Sequence, residues 1–407
     1  MQTLKLAFRN LFRNIRRTIL TVMLIGLSLA ALIAVDGIMR GMITLMVENV
    51  TSTISGEAQI HRVGFRENFD VDIYLENSDE IEQTLRQDSS LDSYTTRVMS
   101  GAMISSSYNV SAGLLYGVDA QRERTISKLE QALVRGEYLS GTESELLMGH
   151  TMAELLEVGL GDRIVLTLSE AGTGELAQAL YRISGIVDFG MRELDDNFVF
   201  VNISAARKTL GMTDLQTHEF VLKFHDPADA ENPETELFQT LNDEETEALG
   251  WLDLNREIGL IIQLTEFSSL IVGAILFLLA SLGVINSMFM SIYERIYEFG
   301  VIKAIGTRPA AISNLILFEA LLIALISCAL GSALGYLIGL YTSNYGIGVG
   351  DMEFSGIAFD NNIFSEFHVS QFTQFPVYVI LLTILAAIYP ARFAARIVPS
   401  DALQRSL

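Results

Sequence analysis

The sequence predicts a membrane protein with four transmembrane α-helices and a large α+β extracytoplasmic domain inserted between helices 1 and 2. Half of the 407 residues are hydrophobic and only 19% are charged, whereas soluble proteins average about 25% charged residues. The mean hydropathy is +0.36. Four segments are apolar over the roughly 20 residues that a span requires. Between the first two of them, residues 40–265 carry 16 basic and 39 acidic side chains.

Composition excludes several other classes of protein. Six prolines and one cysteine exclude collagenous and disulfide-scaffold chains. A net charge of −22 argues against nucleic acid as a partner, because binding phosphates requires a basic surface. The chain therefore has an apolar membrane part and an acidic, water-exposed part.

Charges in the short segments predict the orientation in the membrane. Residues 1–18 carry five basic and no acidic side chains, and the loop 342–371 carries four acids and no base. Under the positive-inside rule, both termini are cytoplasmic and the domain and loop 342–371 are periplasmic. A cleaved signal peptide is the alternative for the first apolar run, but this run is long for one and no clean cleavage site follows. The predicted segments are an amphipathic interfacial helix (1–18), spans at 19–39, 266–293, 310–341 and 372–390, a periplasmic domain with stalk helices (40–265), a cytoplasmic loop (294–309), a periplasmic loop (342–371) and a cytoplasmic tail (391–407).

Patterning inside residues 40–265 predicts mixed α and β structure in two lobes. Alternation predicts strands at 59–75, 94–107 and 112–118. Residues 146–157 are typical of a strand end followed by a helix, and the acidic stretch 226–250 is predicted to be helical after residue 234.

The first 17 residues predict an amphipathic helix at the membrane surface, held to anionic lipid by its basic face. A disordered basic tail is the alternative, which fits the periodic apolar face poorly. The apolar face comprises Leu4, Ala7, Phe8, Leu11, Phe12 and Ile15, and the basic face Lys5, Arg9, Arg13, Arg16 and Arg17.

Two features of the third span point to helix packing and to a buried charge. Gly331, Gly335 and Gly339 recur at every fourth position, so they share one helix face and allow a second helix to approach closely. Ordinary use of glycine in a membrane helix is the alternative. Glu319 is an ionisable residue within a span, which suggests function by default, although a snorkelling or capping role fits equally well.

No motif for catalysis, cofactor binding or metal binding is recognised in the chain. It has no Gly-Lys pair, hence no phosphate-binding Walker loop, so any ATP must bind to another chain. The five histidines have no metal-ligand spacing. The segment 286–306 (NSMFMSIYERIYEFGVIKAIG) is short and helix-competent, so it could dock into a groove on a partner. A mere hairpin between spans is the alternative.

An ordered set of motifs resembles the permease domain of FtsX-like ABC transporters of the MacB, LolC and LolE type. The set begins with LAFRNLFRNIRRTILTV at the N-terminus and QIH at 59–61, and LLMGHTMAELLEVGLGDRIVL resembles the outer core domain of that family. The set continues with residues 286–306, Phe318-Glu319-Ala320, Gly331-x3-Gly335 and Tyr389-Pro390-Ala391-Arg392.

The resemblance implies a non-catalytic permease subunit of the bacterial inner membrane that works by mechanotransmission. Implied partners are a cytoplasmic ATPase dimer that carries the ATP and Mg²⁺, a second permease copy or a paralogue, membrane lipid, a lipoprotein or other amphiphile as substrate, and a periplasmic adaptor or chaperone. In this family a coupling helix in the 294–309 loop fits a groove on the ATPase. The residues to which the resemblance assigns this role are Tyr293, Glu294, Arg295, Glu298, Phe299, Lys303, Ala304 and Gly306.

Two other functions remain open within the family. One is an FtsX-like signalling subunit that regulates a periplasmic cell-wall enzyme, and the other is an efflux-pump permease for drugs or peptides. The size of the outer domain and the string QIH favour release of a lipoprotein or other amphiphile.

Overall fold

A computed structural model describes residues 2–76, 78–232, 235–348, 353–354, 357–358 and 362–400, without the side chains of 2–5, 266, 353–354 and 357–358. The chain forms two compact units. The helical unit comprises residues 1–44, 262–349 and 361–407, and the sheet unit comprises 45–261 and 350–360.

The described helices account for most of the helical unit, and shorter ones belong to the sheet unit. In chain order they are α1 Gln2–Leu11, α2 Ile15–Val50, a π-helical turn Thr51–Ser55, α3 Phe65–Asn68, α4 Ser78–Gln87, α5 Ala120–Ile126, α6 His150–Leu155, α7 Arg192–Asn197, α8 Ile203–Leu210, α9 Ala228–Glu231, α10 Glu236–Leu241, α11 Trp251–Leu254, α12 Arg256–Glu294, α13 Ile296–Ala304, α14 Pro309–Tyr345 and α15 Val369–Ala395.

Four of these helices, α2, α12, α14 and α15, are long and apolar enough to cross a membrane. The predicted span 19–39 lies within α2, and the predicted span 310–341 lies within α14. The core of the helical unit is built from small and branched side chains of several helices, which interdigitate at close range. Its most buried members include Ile25, Leu29, Ile33, Ile316, Ala320 and Ala387.

Glycines of α14 allow close contact with α2. A Cβ placed on Gly331 would lie 2.6 Å from the carbonyl oxygen of Gly26 and 2.9 Å from the Cβ of Leu29. One placed on Gly335 would lie 3.1 Å from three atoms of Ile33. Gly339 instead faces the ring of Phe367. The first two glycines thus pack against a helix, and the third packs against an aromatic side chain.

The sheet unit is built on one ten-stranded mixed sheet, and the division into two lobes stays a prediction. The strand order is β10-β1-β9-β2-β3-β8-β5-β7-β4, with β6 paired to β2 and β7. The β3–β8 and β5–β7 pairs are parallel and the others antiparallel. The strands are β1 Ala58–Arg62, β2 Leu91–Ser105, β3 Val110–Val118, β4 Leu133–Gly136, β5 Glu145–Gly149, β6 Arg163–Ser169, β7 Leu176–Val187, β8 Phe198–Asn202, β9 Glu219–Phe224, β10 Thr246–Gly250 and the two-residue β11 Ile347–Gly348, β12 Glu353–Phe354, β13 Ile357–Ala358 and β14 Asn362–Ile363.

Several local predictions are confirmed and two need correction. The strands predicted at 94–107 and 112–118 are β2 and β3, and the strand and helix predicted at 146–157 are β5 and α6. The stretch 59–75 is a strand only to Arg62, because Gly64 adopts a φ of +84° and starts the short helix α3. Residues after 234 form α10 as predicted, but Thr246–Gly250 then pairs with β1 as an edge strand.

Candidate functional site at one end of the helical unit

Helix α13 is a separate nine-residue helix between α12 and α14. Arg295 breaks the preceding helix with a φ of −113° and a ψ of 12°. Gly306 ends the segment with a φ of +102°, a conformation that favours glycine. Pro309 then occupies the first turn of α14, where its missing N–H costs no hydrogen bond. These breaks make α13 a distinct element that other helices hold in place.

A buried ion pair joins the start of α13 to α14. Arg295 donates through Nη1 to Oε1 of Glu319 at 2.8 Å, and their side chains are 10% and 7% exposed. The same Glu319 oxygen accepts from Nδ2 of Asn10 at 2.6 Å. The Arg295 guanidinium also lies 4.9 Å from the ring centre of Phe299. Glu319 is therefore paired inside the protein, and it connects α1, α13 and α14.

Two further ion pairs, more exposed than the first, connect the N-terminal region to α12 and α13. Arg13 contacts Glu298 at 2.5 Å, and Arg17 contacts Glu294 at 2.7 Å. Arg17 also donates to Oγ of Ser291 at 3.1 Å. Two of the basic residues predicted to bind lipid thus have acidic partners within the protein.

The other end of α13 is tied to α15. Nζ of Lys303 donates to the carbonyl oxygens of Ala395 and Ile397, both at 2.8 Å. Carbonyls at a helix C-terminus lack intrahelical partners, and a cation is favourable there. Lys303 therefore caps α15, so both ends of α13 are held by polar contacts to neighbouring elements.

The predicted coupling residues fall into three groups in the structure. Arg295 and Phe299 are buried, at 8% and 1% exposure, so they face the helical unit. Glu298 and Lys303 are half-buried in the contacts described above. Tyr293, Glu294, Ala304 and Gly306 are exposed.

Sequence reasoning missed three exposed apolar residues and one polar contact. Tyr297, Ile302 and Ile305 are 48%, 39% and 81% exposed, and Asn10 binds Glu319. The signal for Tyr297 and Ile302 is that the apolar residues of α13 are not confined to one face, which a surface helix facing only water would not show. These three residues form an exposed apolar surface on and just after α13, here called the α13 outer surface.

Helix α1 packs on α14 and leaves part of its apolar face exposed. The predicted amphipathic helix over 1–18 is interrupted, because α1 ends at Leu11 and α2 begins at Ile15. Ala7 and Leu11 are buried, whereas Phe8 of α1, Phe12 of the turn and Ile15 at the start of α2 are more than half exposed. Arg9 and Arg16 are also exposed. The side chain of Lys5 lies outside the described residues. This distribution agrees with a helix that has one protein-facing edge and one apolar edge available to lipid.

Among the described residues, one group in the sheet unit has the chemistry of metal ligands. His150, Asp188 and Asp195 bring their ligand atoms within 4.8 Å of one another. Burial raises the pKa of Asp195 to about 6, and its Oδ1 already accepts from the amide of Phe189 at 2.9 Å. Since His150 and Asp188 are also substantially exposed, the group does not by itself define a metal site.

Comparison with known proteins identifies both halves of the chain. Residues 18–237 match the MacB-like periplasmic core domain, and residues 270–399 match the C-terminal domain of FtsX-like permeases. The first match alone covers more than half of the chain. The chain belongs to the FtsX/MacB/LolC family of ABC transporter permeases. This permease is accordingly a multi-pass protein of the bacterial inner membrane with a periplasmic domain, and its family implies an ATPase partner.

Curated relatives agree with this assignment. The permease is 23% identical over 306 residues to the lipoprotein-releasing system transmembrane protein LolC of Xylella fastidiosa. The aligned region covers 72% of each chain. It is 22% identical over 345 residues to LolE of Haemophilus influenzae, and the aligned region covers 79% of this chain and 80% of LolE. It is 37% identical over 146 residues to the macrolide export ATP-binding/permease protein MacB of a Shewanella species, covering 36% of this chain and 19% of MacB.

A solved structure with a similar region is the periplasmic region of MacB from Actinobacillus actinomycetemcomitans. The match has a TM-score of 0.36 and 13% sequence identity, and it covers 51% of this chain and 94% of that chain.

Proposed function

We propose that this permease works with a separate cytoplasmic ATPase to move a lipoprotein or another amphiphile out of the inner membrane. The observation that carries the proposal is the attachment of α13. Contacts through Arg295, Glu298 and Lys303 tie this helix to the N-terminal region, α14 and α15. A force applied to α13 by a partner would therefore displace several helices together, which is the requirement for mechanical transmission.

The orientation follows from charge. The basic N-terminal segment and the 294–309 loop belong on the cytoplasmic side by the positive-inside rule. The α13 outer surface would then face the cytoplasm, where the ATPase dimer with its ATP and Mg²⁺ would bind. A second permease copy or a paralogue would complete the complex.

Similarity supports the choice of substrate class. LolC and LolE are named for lipoprotein release, and the match to them extends over 72–80% of their chains. A comparison over most of both chains favours amphiphile release. The higher local identity to MacB, 37% over 146 residues, favours a second candidate, the export of a drug or peptide.

The test is purification of the tagged permease from its native membrane, followed by mass spectrometry of proteins and lipids. We expect an ATPase with a Walker motif and a lipoprotein or other amphiphile. The purified complex should then release that lipoprotein from proteoliposomes when ATP is added, and a catalytically inactive ATPase should not. An ATPase with a cell-wall enzyme would replace the proposal by the signalling function, and a complex that exports a drug or peptide but releases no lipoprotein would replace it by the second candidate.

A further inference from the structure

A long cavity in the helical unit lies between α2, α12 and α15. Its volume is about 820 Å³. Along α15 its lining extends from Ser370 to Leu385, a distance of about 22 Å at 1.5 Å per residue. The hydrocarbon of one bilayer leaflet is about 15 Å deep, half of the roughly 30 Å core. The cavity is therefore long enough for a molecule that extends through one leaflet.

Contacts of α12 form one wall of the cavity and close one of its ends. A Cβ placed on Gly273 would lie 3.4 Å from Cδ1 of Leu32, so α12 lies against α2 at this level, and both residues line the cavity. Beyond the last lining residue of α12, Phe289 packs on α15, with its ring centre 5.5 Å from that of Tyr389 and 5.4 Å from that of Phe393. The cavity thus ends where α12 and α15 come together.

The side of the cavity between α12 and α15 is open. Lining residues on both helices are more than half exposed, and these are Leu270, Leu278, Leu381 and Leu385. Because both helices have the length and composition of membrane spans, this open side faces the membrane rather than water. A lipid can therefore enter laterally from the bilayer.

Polar side chains gather at one end of the cavity. Asp36 and Gln371 are 9% and 1% exposed, and Nε2 of Gln371 donates to Oδ2 of Asp36 at 2.5 Å. The same oxygen accepts from Nε of Arg40 at 2.9 Å. Asp36 therefore holds Arg40 near the end of α2 that leads into the sheet unit, whereas the lining at the other end is apolar apart from Ser281.

Arg40 keeps unused hydrogen-bond donors at this polar end. It lines the cavity, and its side chain is 45% exposed. Only its Nε is bonded to Asp36, and neither Nη1 nor Nη2 has a partner among the described residues. A guanidinium presents its N–H groups as a fork that matches the oxygens of a phosphate. Arg40 therefore fits a phosphate group that lies next to an apolar chain.

We propose that this cavity binds one glycerophospholipid of the bilayer. Its phosphate accepts from Nη1 and Nη2 of Arg40, and an acyl chain lies along the cavity between α12 and α15. The occupant is a resident lipid that joins these two helices, and it is not the transported substrate. The site lies wholly within the helical unit. The inference goes beyond the proposed transport function and does not depend on the ATPase or on the identity of the transported substrate.

Three probes separate the contributions of the phosphate and of the acyl chains: dioleoyl phosphatidylethanolamine, dioleoylglycerol and the soluble headgroup glycerophosphoethanolamine. Their binding to the full-length permease, freed of lipid in detergent, is measured by native mass spectrometry. We expect one phospholipid per permease, bound about tenfold or more tightly than dioleoylglycerol, because hydrogen bonds to charged groups are the stronger ones. The soluble headgroup should not bind, since it has no chain to occupy the apolar part of the cavity.

Matched variants assign any preference to the cavity. Arg40→Gln removes the charge but keeps a donor for Asp36, and it should reduce the preference for the phospholipid to about onefold. Arg16→Gln removes an exposed cation outside the lining and should leave the preference intact. Ala274→Trp, an exposed substitution in the lining, should weaken binding of both lipids, whereas Ile275→Trp, exposed on α12 but outside the lining, should not. The tryptophan pair decides the matter if circular dichroism shows that Arg40→Gln fails to fold.

Three results would overturn the proposal. Equal binding of phosphatidylethanolamine and dioleoylglycerol to the unaltered permease, or a preference that survives both Arg40→Gln and Ala274→Trp, would remove the phosphate from the cavity. A lipoprotein that copurifies in place of the phospholipid and is lost in Ala274→Trp would make the cavity a substrate site. Dissociation of a permease dimer in Ala274→Trp, but not in Ile275→Trp, would assign the open side to a second copy of the chain.

Discussion

Removing Glu319 should destabilise the helical unit by several kilocalories per mole. Its carboxylate lies 2.8 Å from the Arg295 guanidinium, and both side chains are about nine-tenths buried. Breaking a buried ion pair by deleting one partner costs about 3–5 kcal/mol, because the other charge is left uncompensated. In Glu319→Ala, Arg295 keeps Glu298 at 3.4 Å, so we expect about 3 kcal/mol. In Arg295→Ala, Glu319 keeps only the amide of Asn10, so we expect a loss nearer 5 kcal/mol.

The assay is SDS titration of the purified permease, followed by circular dichroism. Arg295→Met with Glu319→Leu removes both charges, and this double variant should be more stable than the two single losses predict by at least about 2 kcal/mol. Arg13→Ala is the surface control: Arg13 and Glu298 are 58% and 38% exposed, so we expect a loss of about 1 kcal/mol or less. A loss below about 1 kcal/mol in both single variants would refute the assignment of a buried, structurally essential pair.

Three further predictions follow from the structure. Lys303→Ala should uncouple ATP hydrolysis from substrate release, because it frees the carbonyl of Ala395, the last residue of α15, and that of Ile397 just after it. The ratio of release to hydrolysis in proteoliposomes should fall, whereas Lys303→Arg should retain it. An unchanged ratio in the alanine variant would contradict this role. Gly331→Ala should lower the free energy of unfolding by about 1–3 kcal/mol, because the added methyl group forces α2 and α14 apart. Gly335→Ala should lower it less, because a Cβ on Gly335 lies 3.1 Å from its neighbours and one on Gly331 lies 2.6 Å from its nearest neighbour. The same SDS titration checks this order, and equal losses would contradict it. Burial lowers the pKa of His218 from 6.5 to about 4, so in that range the unfolded chain binds more protons at this residue. His218 should therefore contribute a fall of about 3 kcal/mol in the free energy of unfolding as the pH drops from above 6.5 to below 4. The difference between the unaltered permease and His218→Gln in urea unfolding, followed by the fluorescence of the single tryptophan, Trp251, measures this contribution; an unaltered pH dependence in His218→Gln would refute the assignment, with the exposed His225→Gln as control.

The sequence predicted the membrane helices well because span formation depends on local composition. Each of the four apolar runs lies in a helix that has the length for a span. The Gly331 and Gly335 spacing also predicted a packing face, since residues four apart share one side of a helix. Gly339 could not be assigned correctly from spacing, because its neighbour is Phe367, which precedes α15 rather than lying on a paired helix.

The sheet was harder to predict because its pairings are non-local. Thr246–Gly250 becomes a strand only through its pairing with β1, nearly 190 residues earlier. The single ten-stranded sheet likewise depends on β6, which pairs with both β2 and β7. Local alternation could find β2 and β3 but could not decide how the strands pair.

In the candidate site, the sequence located the segment but not the direction of each side chain. Every predicted coupling residue lies on or beside α13. Which of them are buried depends on the contacts with neighbouring helices: Arg295 is held by Glu319, and Lys303 by the end of α15. The exposed Ile305 could not be distinguished from the buried Phe299 without those neighbours.

Site-specific crosslinking at Ile305 tests the central claim most directly, namely that a separate ATPase docks on the α13 outer surface. The only native cysteine, Cys328, is buried, so Ile305→Cys provides a single accessible thiol for a short thiol-to-amine crosslinker in native membranes. Tyr345→Cys, also exposed but at the opposite end of α14, is the matched control. We predict an adduct between residue 305 and a Walker-containing ATPase and none from residue 345. No ATPase adduct at 305, or an equal yield at 345, would contradict the account.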